Sequence, residues 1–212
     1  MSDRRDKVVA LSSMMNLETE ALDLDFFGYE KTLYEKSIKM KQCNKCIRKC
    51  DTCKGMNITS FTESVTGFGT LNATVVFVGI SPGTPCMSTQ IPFSGGSGFM
   101  LDAACRLCGI TREQVYITNI IHCHPEGNRA PRPTEIANCI GYLVNELRII
   151  KPKLIITLGT IPRDIMAKFK VMDQVENCKI HAVKHPASFL HSSLIGSKDW
   201  MIRLSQIMEK SL

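Results

Sequence analysis

The stretch Thr74–Asp102, TVVFVGISPGTPCMSTQIPFSGGSGFMLD, sets the fold class. Thr74–Gly79 is a short β-branched run ending in glycine, which reads as a buried strand feeding a loop. After the loop, Gly98–Gly109 carries an apolar pattern of helical period. Similar short runs recur at Val115–Asn119, Lys153–Gly159 and Ile180–Val183, and each is too brief for a helix. Helical patterns at Thr134–Ile150, Ile161–Phe169 and Lys198–Lys210 follow them, with Thr134 as a candidate cap. Alternating strand and helix with short connections predicts an α/β fold with a mainly parallel sheet covered on both faces. In such a sheet ligands bind beyond the carboxyl ends of the strands. Three polar or glycine-rich segments fall there, after Gly79, Asn119 and Val183.

With 212 residues, 44% hydrophobic and 22% charged, the chain can bury one substantial core, and two large domains are disfavoured. Residues 1–42 read as an appendage of one or two amphipathic helices with no evident chemistry, ahead of a domain over 43–212. The first residues lack a signal-peptide apolar stretch, and no run approaches the roughly 20 apolar residues of a spanning helix. The expectation is a soluble intracellular protein, in cytoplasm or nucleoid, without membrane contact. Lys31–Lys54 holds eight Lys/Arg against Glu35 and Asp51, an excess equal to the whole net charge of +6. Such a stripe attracts a polyanion such as nucleic acid, although a solvated helix face is the commoner origin of Lys-rich segments.

Ten cysteines in a reducing compartment are poorly explained by disulfides. Cys50 and Cys53 form a CxxC pair, answered far downstream by Cys123 and Cys139, which bracket a polar loop. Four thiolates from distant segments point to zinc or an iron–sulfur cluster. Cys43, Cys46, Cys50 and Cys53 could instead form one compact zinc site. Cys105 and Cys108, also CxxC, sit in an apolar helical stretch and read as packed core thiols. His122 and His124 flank Cys123 and are rival candidates for ligation or phosphate contact, although the plainer reading is two surface residues.

In the loop after Gly79, glycines and prolines constrain the backbone, and Phe93 stands just before GGSG at a helix start. A base could stack on Phe93 while phosphate meets the helix amides; the plain alternative is a tight βα loop with Phe93 in the core. Asn119 offers the paired donor and acceptor needed to read an amide-like edge such as that of uracil, although a lone strand-end Asn is usually a turn former. His185 could donate to an anion developing on a leaving base, although a lone loop histidine is usually surface.

The ordered series VGISPG, PFSGGSGFMLD, YITNIIHCHPEGNRAPRPTEIANC, KPKLIITLG and VKHPASFLH resembles the uracil-DNA glycosylase superfamily, closest to its family 4 iron–sulfur members. The resemblance runs from about Cys50 to the C-terminus. It implies a three-layer α/β/α fold with a central four-stranded parallel sheet, and a [4Fe-4S] cluster on Cys50, Cys53, Cys123 and Cys139. The first pair is placed by its nearness to VTGFG, the extra CxxC leaving Cys43 and Cys46 as rivals. It further implies that Phe93 stacks on a flipped uracil, Asn119 reads its edge, His185 faces its departing oxygen, and Gly79, Ile80 and Ser81 line the pocket. The Ala187–His191 loop, with Ser188, Phe189 and Leu190, would lie at the minor groove, and Arg129 and Arg132 would hold phosphates.

The implied activity is hydrolytic removal of uracil, or a related deaminated or modified pyrimidine, from DNA, and the expected state is a monomer. The chain departs from the family at one step. Ile80 stands where family 4 carries an acidic residue, Ser81 where several other families carry a catalytic Asp or Asn, and Cys86 and Met87 replace a further acidic pair. Serine carries no charge and is a poor base, so Ser81 is left the role of orienting a water. A catalytically silent DNA-binding protein on the same fold is therefore the alternative expectation.

Overall fold

The computed structural model describes residues 19–190 and 194–210. The chain divides into two units, Met1–Ile38 and Lys39–Leu212. The described part of the first is helical. It belongs to a single helix α1, Thr19–Arg48, where the sequence pattern allowed one or two.

In the second unit, β2 (Val75–Gly79), β3 (Tyr116–Asn119), β4 (Leu154–Leu158) and β5 (Lys179–Val183) form the expected four parallel strands, in the order β3-β2-β4-β5. The sheet has a fifth strand that the sequence did not reveal. β1, Phe68–Gly69, pairs antiparallel with the outer edge of β3. Two residues are too few for any alternation to register.

The three inner strands are buried at every position, which is why they read as continuous apolar runs. Their side chains alternate between two cores. Val76, Val78, Tyr116 and Ile155 face one layer, packed against Met40, Cys43 and Ile47 of α1 and against α4 (Pro133–Ile150) through Leu143 and Leu147. Val75, Phe77, Ile117 and Ile156 face the other, packed against Leu101 and Ala104 of α3 (Gly96–Leu107) and Trp200 and Leu204 of α6 (Leu194–Glu209). The short helices α2 (Cys86–Thr89) and α5 (Thr160–Lys168) complete the chain order. The Met40, Cys43, Ile47 spacing is the one-sided stripe of an amphipathic helix. Cys105 is buried in the second core, and Cys108 packs beside it.

α4 starts differently from its sequence reading. Pro133 occupies the first helical position and Thr134 is an exposed residue beyond it. The start is held instead by Glu135, whose carboxylate accepts the Arg132 backbone N–H at 2.7 Å. Because β3 and β4 flank β2, the chain reverses its direction of travel across the sheet beside β2, and a crevice opens at its carboxyl end.

Candidate active site and thiol cavity

At that crevice Gly79 ends β2. A Cβ on Gly79 would lie 2.5 Å from Asn119 Oδ1 and 2.6 Å from Phe93 Cζ, so only glycine lets the aromatic edge and the amide meet over the strand end. Asn119 is buried, and its Oδ1 has no hydrogen-bond partner. An unsatisfied buried amide oxygen costs about 1–3 kcal/mol, and Asn119 Oδ1 is available to accept a hydrogen bond from a ligand. The His185 ring lies 6.1 Å from the Phe93 ring at an interplanar angle of 35°. Its Nδ1 accepts the Ala187 N–H at 3.1 Å, which leaves the proton of a neutral imidazole on Nε2. Burial depresses the His185 pKa, so the neutral form is favoured. Ile80 packs toward the α4 side, and its carbonyl accepts the Ile121 N–H at 3.1 Å; Ser81 is half-buried.

A second cavity lies on the α4 side of the sheet. Cys50, Cys53, Cys123 and Cys139 all line it, with Asn57, Glu135 and Asn138. Cys43 is in the core and Cys46 is exposed, so neither belongs to this cavity and the compact zinc alternative loses its donors. Burial, then the neighbouring Cys139, Cys50 and Cys53, push the Cys123 thiol up to about 12. A cationic centre among the four sulfurs would favour the Cys123 thiolate against both effects. Among the described residues no group of three His, Cys, Asp or Glu is placed to hold a single metal ion. Four sulfur donors lining one cavity have the donor chemistry of zinc or of an iron–sulfur centre. Amide donors reach two of the sulfurs: Asn138 Nδ2 lies 3.4 Å from Cys53 Sγ, and the His122 backbone N–H donates to Cys139 Sγ at 3.3 Å.

His122 and His124, surface residues by sequence pattern, are both buried. His122 Nε2 lies 3.2 Å from Glu146 Oε2 and its Nδ1 3.5 Å from Cys139 Sγ. Glu146, fully buried on α4, also accepts from Thr118 Oγ1 at 2.6 Å and Tyr116 OH at 2.9 Å. Burial opposes a charge on His122, but Glu146 and Cys139 outweigh it and hold the imidazole pKa well above its usual value. His124 Nδ1 donates to the Pro82 carbonyl at 2.9 Å, which ties the cysteine loop to the loop after β2. Asn128 Oδ1 adds a second tie by accepting the Thr84 N–H at 3.3 Å. Glu146 was invisible to motif reading because it sits mid-helix, and only its position on the buried face of α4 could have flagged it. Glu146→Ala leaves His122 and two hydroxyls without their partner and should cost about 3–5 kcal/mol of stability, read from denaturant unfolding. An unchanged midpoint would refute the ion pair.

Of the residues expected at DNA, Arg132 and Ser188 are exposed. Leu190 is 43% exposed and lies against Gly96. Phe189 instead turns inward, its ring 6.2 Å from that of Trp200. Arg129 forms a forked ion pair with Glu135, at 2.6 and 2.9 Å. His191 lies outside the described residues.

A parallel α/β domain with an aromatic, an unsatisfied amide and a neutral imidazole at its strand ends, beside a four-thiol cavity, has the makings of a base-recognising site of the glycosylase class. Residues 66–204 match the family described as the uracil DNA glycosylase superfamily. The chain belongs to that superfamily. It is 35% identical over 160 residues to the type-4 uracil-DNA glycosylase of Archaeoglobus fulgidus, covering 68% of this chain and 78% of that protein. It is 37% identical over 127 residues to the type-4 enzyme of Thermotoga maritima, covering 60% and 65% of the two chains. For the type-4 enzyme of Pyrobaculum aerophilum the figures are 34% over 122 residues, 58% and 61%. The chain thus spans just under two thirds of the last two relatives.

Proposed function

We propose that this protein is a monofunctional DNA glycosylase that removes uracil, or a related deaminated or modified pyrimidine, and leaves an abasic site. The observation that carries the reading is the partnerless Asn119 Oδ1 facing Phe93 across the Gly79 backbone. In this reading a flipped base stacks on the half-buried Phe93 and the buried Asn119 amide pairs with its edge. As the glycosidic bond lengthens, electrons move onto the base. The His185 Nε2–H, fixed by the Ala187 hydrogen bond, donates to the oxygen where that charge collects. Ser81 orients the attacking water, and the carbonyl of Ile80 stays committed to Ile121. No carboxylate stands at 80, so the base side carries most of the stabilisation and the reaction is slower than a carboxylate-assisted one.

Arg132 and Ser188 would meet phosphates, with Leu190 as the wedge and Phe189 backing it, while Arg129 stays engaged by Glu135. Cys50, Cys53, Cys123 and Cys139 would hold a [4Fe-4S] cluster, which when bound neutralises the thiolates and braces the cysteine loop. The glycosylase domain is read as 43–212, acting as a soluble intracellular monomer; no helix among the described residues is long and apolar enough to cross a membrane.

DNA with one uracil should yield free uracil and an alkali-labile site without direct strand cleavage. Ile80 and Ser81 favour a second reading, a silent DNA binder. In that case wild type binds uracil-DNA without base release, and Ile80→Glu creates cleavage if only the catalytic carboxylate is missing.

A further inference from the structure

Phe93 is one of eight non-glycine residues with positive φ among the described residues, at +57°. A bulky residue in this conformation persists only where its surroundings over-determine it. The restraint is local and specific. Arg112 Nη2 donates to the Phe93 carbonyl at 3.0 Å, while Arg112 Nε donates to Asp102 Oδ1 at 2.7 Å. Asp102 belongs to α3, the helix that Phe93 precedes. Arg112 opens the 3-10 turn Arg112–Gln114 before β3, and that turn is locked by the Thr111 N–H donating to Gln114 Oε1 at 2.8 Å. Gly98 leaves room for this contact, since a Cβ there would collide with the Phe93 carbonyl. The Arg112 and Asp102 side chains are only 16% and 27% exposed, so the fork is shielded from water and salt.

We propose that Arg112 is a positioning residue of the base slot: its guanidinium spans from the α3 carboxylate to the Phe93 carbonyl and fixes the ring in the plane against which the base stacks. Only a guanidinium serves both partners at once in this fixed geometry. The inference rests on the glycosylase reading and deepens it.

The test is a double-mutant cycle on iron-loaded protein, reading single-turnover uracil release and inhibition by free uracil. Arg112→Met should slow release about 10-fold and weaken uracil inhibition by a similar factor. Arg112→Lys should recover part of the loss, because lysine reaches one partner but not both. Asp102→Asn, a near-isosteric change, should give a smaller loss in the same direction. In a Phe93→Ala background Arg112→Met should have no further effect, because the ring it positions is gone. Equal losses from Arg112→Met with and without Phe93, or no loss at all, would overturn the proposal. If wild type releases no uracil, the glycosylase reading fails separately, and equilibrium dialysis with free uracil then decides: weaker binding by Arg112→Met upholds the positioning role, and equal binding overturns it.

Discussion

Cys123→Ser and Cys139→Ser should each strip the purified protein of iron and of the brown colour expected of a cluster, whereas Cys43→Ser and Cys46→Ser should leave both in place. The asymmetry follows from where the thiols lie. Cys123 and Cys139 line one cavity with Cys50 and Cys53, while Cys43 is buried in the core and Cys46 faces solvent. Iron quantitation and the visible spectrum of anaerobically purified variants are the measurements. The loss should spread beyond the metal. Cys123 stands between His122, paired to Glu146, and His124, bonded to Pro82 in the loop after Gly79. Releasing the cysteine loop should therefore loosen the base slot as well. Colourless zinc-containing wild type, or iron retained after loss of Cys139, would overturn the assignment.

The second large effect is at His185. His185→Ala should lower single-turnover base release by about 10²–10³-fold, the range for deleting one donor to a developing anion. DNA affinity should change little, because the imidazole acts on charge that appears only as the bond breaks. Its pH signature has a defined sign. Burial lowers the His185 pKa, so the neutral donor persists through neutral pH and activity falls only on acidification below the usual histidine range. Protonation also converts Nδ1 from acceptor to donor and breaks its bond from the Ala187 N–H. The unfolded chain takes up that proton first, so the stability from the half-buried neutral ring is complete above the unfolded pKa and is lost as pH falls through the lowered one. An acid limb that persists unchanged in His185→Ala would assign the titration to another group.

How much of this was legible beforehand differs between layers. The three inner parallel strands declared themselves because strands buried on both faces are continuous apolar runs, as Val75–Gly79 and Leu154–Leu158 are, while the partly exposed β5 showed only as the shorter run Ile180–Val183. β1 could not, since Phe68 and Gly69 are held by β3 and carry no pattern of their own. The base slot was visible as residues at strand ends, Gly79 and Asn119, plus two loop residues, Phe93 and His185. The burial of His122 and His124 was not, because their partners Glu146 and Pro82 are distant in sequence and chosen only by packing. The same holds for Arg112, which reads as an ordinary charged turn residue until the Phe93 carbonyl is placed beside it.

A single-turnover time course of base release from DNA containing one uracil, with cluster-loaded wild-type protein in excess, tests the glycosylase function. Free uracil should accumulate to one equivalent per DNA, with release lost in His185→Ala. An intact cluster and firm binding of uracil-DNA with no base released would contradict it.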